Sequence, residues 1–319
     1  MSRHESLSVG QLECDTITGS GGGVQGWRRK IYVNAALGSD GNDGLAFDRA
    51  KKTLTDADDL AVSGYKDLIV LEESTSALSL TSAYDWSKNL CGIIGTAANK
   101  MNHRSRISQG GAFTPFLTVS GYGNQFGNLY TMHGTAAGDY IGVLVSGIRN
   151  AFENCHFGSP QVAAQGGHAS YNGFHITGTE NYFKECVFGY NTITRDELTP
   201  NVTLGAGTIT IFDDCTFLMA IDDTEPYFVA VTNASSYTQA YFNRCKFICF
   251  SSNQAAKAAV AFTFSAGYSC DIVLDAGCTF AGVTKIAASA SMKYIWMPTV
   301  FAATADELNL IAINSATYP

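Results

Sequence analysis

Apolar residues recur along this chain in a fixed grouping: an aromatic, two polar residues, a cysteine, one further residue and a second aromatic. The clearest copies are Phe152-Glu-Asn-Cys155-His-Phe157, Phe183-Lys-Glu-Cys186-Val-Phe188, Phe212-Asp-Asp-Cys215-Thr-Phe217 and Phe242-Asn-Arg-Cys245-Lys-Phe247. Their cysteines are 31, 29 and 30 residues apart. Another copy ends in Cys278-Thr-Phe280, 33 residues further on, with its upstream apolar residue slipped to Leu274. An earlier one, Phe126-Gly-Asn-Leu129, has leucine in the cysteine slot. Upstream of the grouping, Ser120-Gly-Tyr-Gly-Asn124, Ser146-Gly-Ile-Arg-Asn150 and Thr177-Gly-Thr-Glu-Asn181 also align. A period of about 30 residues marks a solenoid, in which each unit buries its apolar face against its neighbours.

Strand geometry turns the grouping into a coil. Residues two apart on a strand share a face, so Cys155 and Phe157 point the same way. Phe152 to Cys155 is an odd step that would reverse the face, unless the chain turns between them. Asn154 suits such a corner, because asparagine tolerates the left-handed conformation. One strand therefore ends near Phe152 and another begins at Cys155. A strand at Ile141–Val145 and a corner at Ser146-Gly147 complete three strands and three corners per unit. The expected fold is all-β, a single right-handed parallel β-helix. Stacking the coils aligns Cys155, Cys186, Cys215, Cys245 and Cys278 in one internal ladder. Phe157, Phe188, Phe217, Phe247 and Phe280 form a second. Asn124, Asn150 and Asn181 share the inward parity and are expected to form an amide ladder.

Three regions follow. Residues 1–30 read as an extended arm, with Gly19-Ser-Gly-Gly-Gly23 and the basic trio Arg28-Arg-Lys30. Residues 31–293 are the β-helix with its N-terminal cap, and its coils run from about 66 to about 290. Residues 294–319 break the repeat and read as a cap or interaction tail.

Composition narrows the classes. Hydrophobic residues make up 46% and charged residues 15%, so a large core can form. A net charge of −8 argues against nucleic-acid wrapping, and no apolar run approaches a membrane span. The N-terminus shows no continuous apolar stretch of the secretory type, so a reducing cytoplasm is expected for the nine cysteines. Buried thiols are then the first reading of the ladder; disulfides between coils or a metal site are the alternatives. In that compartment the sequons at Asn201 and Asn233 carry no meaning.

The chain resembles known β-helix proteins at its entry. Ile31-Tyr-Val-Asn34, Gly38-Ser-Asp-Gly-Asn-Asp-Gly44, Lys52-Thr-Leu54 and a short helix near Thr55–Ser63 are similar to the opening of pectate-lyase-like β-helices. Asp67-Leu-Ile-Val-Leu71 and Lys88–Gly95 resemble their first coils, with the helix capping the open end. The architecture over roughly 31–290 also resembles tailspike and decoration proteins of tailed bacteriophages. That resemblance implies a virion structural protein assembled in the host cytoplasm, most simply a capsid decoration (cement) protein. It implies a homotrimer whose N-terminal arm contacts the major capsid protein or other virion proteins. A tail spike or fibre is one alternative, and a polysaccharide-degrading enzyme is another.

Candidate chemistry is sparse. Glycoside hydrolysis needs two carboxylates flanking the scissile bond. Glu153, Glu185 and Asp213/Asp214 stack along one corner, and Asp222/Asp223 lie nearby. These occupy repeat positions, so solvated corners are the simpler explanation. Arg195-Asp196-Glu197 is the least repetitive charged group, in the long connection 189–206. His168 and His175 flank Gly-rich loop sequence, and His-x6-His without a third ligand is a weak metal signal. Asp40, Asn42, Asp43 and Gly44 have the composition of a calcium loop without the closing Glu of an EF-hand, and read as a turn. No catalytic, cofactor-binding or metal-ligating residue is assigned, and no cofactor is expected.

Overall fold

The computed structural model describes residues 16–18, 24–97, 105–133, 141–162, 171–195, 199–221, 226–232, 237–251, 258–265, 270–287 and 294–296. The Cys278-Phe280 unit and its predecessors form a parallel β-helix of three long sheets, with ten, nine and eight strands. Sheet 1 runs from Arg29–Val33 through Asp67–Leu71, Gln125–Gly127, Ala151–Glu153 and Asn181–Lys184 to Tyr294–Trp296. Sheet 2 runs from Leu78–Leu80 through Tyr130–Met132, His156–Gly158 and Val187–Phe188 to Thr279–Ala281. Sheet 3 runs from Tyr84–Trp86 through Ile141–Val145, Asn172–Ile176 and Pro200–Leu204 to Val283–Ala287. Successive strands within each sheet are parallel, which leaves one coil per repeat.

The backbone explains the odd Phe-to-Cys step. Asn154 has φ +53°, and Glu185, Asp214 and Arg244 at the same corner have +54°, +52° and +52°. Left-handed residues at this place turn the chain within two residues, so Phe152 and Cys155 both point inward. A second left-handed column, Leu90, Gly123, Arg149 and Glu180, turns sheet 3 into sheet 1, and the left-handed Lys66 precedes the sheet 1 strand Asp67–Leu71. At that second corner Gly121, Gly147 and Gly178 lie against the previous coil. A Cβ on Gly147 would come within 1.9 Å of the Gly121 carbonyl oxygen, so only glycine fits.

The core consists of columns. Phe126, Phe152, Phe183, Phe212 and Phe242 are in register on sheet 1, and Leu274 follows Phe242, as its slipped position requires. Their rings stack at centroid separations of 4.7–5.2 Å. Phe157, Phe188, Phe217, Phe247 and Phe280 form the matching column on sheet 2. Offset stacking at such distances adds to the area each ring buries. Between these columns lie Cys155, Cys186, Cys215, Cys245 and Cys278, all free and buried. Each thiol from Cys186 onward donates to a phenylalanine carbonyl of the preceding coil, as Cys186 does to Phe152 and Cys215 to Phe183. Burial holds the thiols of Cys155, Cys186 and Cys215 well above their ordinary pKa.

The asparagine ladder is present and works in both directions. The Asn150 side chain donates to the Gly121 carbonyl and accepts the Asn124 backbone N–H. Asn181 repeats this on Gly147 and Asn150, and Asn124 on Lys88 and Cys91. In the next coil Thr210 takes the place of asparagine, paired with Asn181.

The N-terminal end is closed as expected, with shifted bounds. The capping helix is Leu54–Leu60, shorter than 55–63, because Ala61 returns to extended backbone. Thr53 caps it through its hydroxyl to the Asp56 N–H, and Leu54 and Ala57 face the core. The first strand of sheet 1 begins at Arg29, so Arg29 and Lys30 belong to the β-helix rather than to a preceding arm. Trp27 is also buried; it packs on Leu68 and Val70 outside sheet 1, over the gap left by Gly92. Arg28 and Arg29 both reach Asp67, at 3.0 and 2.9 Å. Burial alone would raise the Asp67 carboxyl. Hydrogen bonds from Arg28, the Val62 N–H and Arg29 outweigh it and hold the pKa below the ordinary value. The tail, apart from Tyr294–Trp296, lies outside the described residues.

Candidate functional site

Sheet 1 and the corner that follows it carry the stacked carboxylates Glu153, Glu185, Asp213 and Asp214. The outward positions of sheet 1 form two columns. One reads Glu153, Lys184, Asp213, Asn243 in register. Lys184 pairs with Glu153 at 3.2 Å, and Arg244 from the next coil pairs with both Asp213 and Asp214. Tyr182 donates to Asp213 at 3.0 Å; burial, helped by that carboxylate, pushes its phenol up to about 12. The Glu185 N–H donates to the Asp213 carbonyl, which fixes the corner. The stacked carboxylates are therefore brought together as the sequence suggested, and bases of adjacent coils interleave with them. Asp196, Glu197, Asp222, Asp223 and His168 lie outside the described residues.

The other outward column is apolar: Ala151, Tyr182, Ile211, Tyr241 and Val273, all half-buried. A flat strip of alternating phenol and aliphatic groups thus lies beside a strip of alternating charge.

A second polar group went unnoticed in the sequence and lies inside the solenoid. From Gln125–Gly127 to Arg244 the corner between sheets 1 and 2 takes two residues, whereas the connections from sheet 2 to sheet 3 are longer. Under those connections the inward positions after sheet 2 are polar: Gln109, His133 and Ser159, all buried. His133 Nδ1 is 2.5 Å from Ser159 Oγ, and Ser159 also bonds the Tyr171 hydroxyl. The rings of Phe116, His133 and Tyr171 stack in a row, at 5.9 and 5.7 Å, and the Arg195 guanidinium closes it 4.9 Å from Tyr171. Arg195 donates to the Thr199 and Pro200 carbonyls and to Asn201. It is 1% exposed, so this charge is buried inside the fold. The long connection folds back and needs a donor for its buried carbonyls, which a guanidinium supplies. Serine and histidine in contact have the makings of a nucleophile and its base. Ser159 and His133 are 5% and 1% exposed, and among the described residues the arrangement is an internal polar network.

The remaining candidates resolve as structure. Asp40 accepts the Lys52 and Thr53 N–H groups, and Asp43 pairs with Arg49, so the Asp40–Gly44 loop is a self-satisfied turn. His175 lies half-buried on sheet 3, and burial lowers its pKa. Asn201 is buried, its side-chain amide donating to the Leu218 carbonyl at 2.6 Å, so its sequon is closed to modification in the folded chain. Among the described residues no group of three or more His, Cys, Asp and Glu is placed to hold a metal ion, and no helix is long and apolar enough to cross a membrane.

No protein-family model and no curated sequence matches the chain. Solved structures do. Pectate lyase Pel9A shares the fold with a TM-score of 0.51 at 14% identity, over 86% of this chain and 79% of that one. The pectin methylesterase PemA of Erwinia chrysanthemi aligns with a TM-score of 0.49 at 11% identity, over 89% of this chain and 93% of its own. The fold is a parallel β-helix of the kind found in pectate lyase Pel9A.

Proposed function

We propose that this chain is a structural protein of a virion, a decoration subunit that stabilises a phage head through contacts between subunits. The observation that carries this reading is the ion-paired edge. Glu153, Asp213 and Asp214 are matched by Lys184 and Arg244 of adjacent coils. Such an edge stiffens a rod, whereas a hydrolase needs a carboxyl held ready to give up a proton. The aromatic, thiol and amide columns serve the same end. The test is quantitative mass spectrometry of purified particles from the source. A ratio of tenths to one copy per major capsid protein supports decoration. A few hundredths moves the chain to a tail spike, and absence from particles removes the virion reading.

A second reading, a polysaccharide-modifying enzyme, draws on one feature of the same face. Glu153 and Asp213 are two register steps apart, about 10 Å at ~4.8 Å per step, with Tyr182 and Lys184 between them. Hydrolysis or elimination on a polysaccharide panel, lost in Glu153→Gln and Asp213→Asn variants that fold normally, supports it. No turnover by the wild type, or turnover unchanged in both variants, rejects it.

A further inference from the structure

We propose that two copies of this chain associate side by side and antiparallel, along the corner that turns sheet 3 into sheet 1, about a two-fold axis that sets Arg149 of each copy against Glu180 of the other. That corner is an exposed apolar ridge. Tyr65, Leu90, Tyr122, Ile148, Ile209 and Tyr237 lie along it in different coils and are 38–56% exposed. They are half of the large apolar side chains that stand exposed among the described residues. The backbone fixes their order. The Leu90 N–H donates to the Tyr122 carbonyl, Gly123 to Ile148 and Arg149 to Thr179, each one coil further on. The Ile209 N–H then donates to the Thr179 hydroxyl. Apolar groups gathered along one edge in this way mark a contact surface.

The occupant follows from the order of charges on the ridge. Lys66, Arg149, Glu180 and Asp271 share one register position, counted from the paired strands of sheet 1. Lys66 is three register steps before Arg149, and Asp271 is three after Glu180. The Tyr237 hydroxyl donates to Asp271, which joins that carboxylate to the ridge. Both cations thus lie in the first half and both anions in the second, over about 34 Å at ~4.8 Å per step. A two-fold axis midway between Arg149 and Glu180 sets each cation against an anion of the other copy: Arg149 against Glu180, Lys66 against Asp271. It also brings Tyr122 to Ile209 and Leu90 to Tyr237. Arg149 and Glu180 already pair within the chain, so two copies close a ring of four charges. Parallel copies would set each level against itself, Arg149 beside Arg149. The ridge therefore suits a two-fold pair, an isologous contact, rather than the homotrimer implied by the phage resemblance. The net charge of −8 repels other copies, whereas these four charges cancel where the copies meet.

The test is sedimentation equilibrium of the full chain over a dilution series, where a reversible dimer is expected. Arg149→Glu and Glu180→Arg should each weaken it by about tenfold or more. An equal mixture of the two variants should restore association, because each copy then supplies the charge that the other lacks. Direction is read by disulfide capture: a Tyr122→Cys chain mixed with an Ile209→Cys chain should give a dimer that joins one of each under mild oxidation. A chain that stays monomeric throughout, a dimer indifferent to both charge variants, or a loss that the mixture does not restore overturns the proposal. Capture of Tyr122→Cys by its own kind overturns it in favour of parallel rods. The dimer rests on the ridge alone, so it and the virion reading, tested by copy number in particles, can fail separately.

Discussion

The side chain of Asn150 accepts the backbone N–H of Asn124, one coil earlier, at 2.9 Å, while its amide donates to Gly121 in the same coil as Asn124. One side chain thus satisfies two buried backbone groups at a corner where neither has a strand partner. Asn150→Ala leaves both unpaired. At about 1–3 kcal/mol per orphaned group, a loss of about 2–6 kcal/mol is expected in urea unfolding. Asn150→Asp keeps the acceptor and loses the donor, so it should also destabilise. A midpoint equal to wild type in both variants would show that the ladder contributes nothing.

Gly147 tests the closeness of the coils. Its Cβ would lie 1.9 Å from the Gly121 carbonyl oxygen, a backbone atom that cannot move aside without opening the stack. Gly147→Ala is therefore expected to cost about 3 kcal/mol or more, toward the upper range for overpacking. Gly64 has open space around its Cβ position but a φ of +83°. Gly64→Ala should cost less, from backbone strain alone. Thermal melts of the two variants, compared side by side, distinguish the mechanisms.

The thiol column makes a chemical prediction. Cys186 is fully buried between Cys155 and Cys215, and its Sγ donates to Phe152. Cys186→Asp places a carboxylate there without a cationic partner and should destabilise by at least about 3 kcal/mol at neutral pH. Protonation removes the charge, so the deficit should narrow as pH falls. In the wild type, Cys155, Cys186 and Cys215 should react with a thiol reagent only as fast as the protein unfolds. Rapid labelling of all three in the native state would place the ladder outside.

Asp67 ties the entry of the chain to the first coil and carries a pH signature. Its folded pKa is depressed below the ordinary 3.8. Its contribution is therefore complete above that value and is lost as pH falls through the lower folded value. Asp67→Asn should cost about 3 kcal/mol at pH 7, the scale for removing one partner of a buried ion pair. The gap between variant and wild type should begin to narrow below about pH 4 and close only below the depressed folded value. A gap independent of pH would mean that packing of Arg28 and Arg29, not their charge, holds the junction.

Much of this architecture was legible because a solenoid repeats its demands. Phe152, Phe183 and Phe212 meet the same neighbours coil after coil, so their spacing survives in the sequence. Cys155 and Asn150 could be assigned to the inside by parity alone. The internal row of Phe116, His133, Tyr171 and Arg195 was not legible. Its members come from connections of unequal length, so no fixed interval links them. One signal was available: Gln109, His133 and Ser159 each lie two residues beyond an inward residue, Ile107, Thr131 and Phe157. Polar residues in that parity imply an internal network. Trp27 was missed for a different reason, since its seat depends on the absent side chain of Gly92.

The parallel strands of all three sheets join one coil to the next, so their backbone hydrogen bonds lie along the long axis of the molecule. A load squeezing the rod end to end presses the stacked rings and amides together. A load pulling one terminus away from the axis peels the coils singly, each detachment breaking only the bonds to its neighbour. Such a rod is strong as a strut and weak as a zipper.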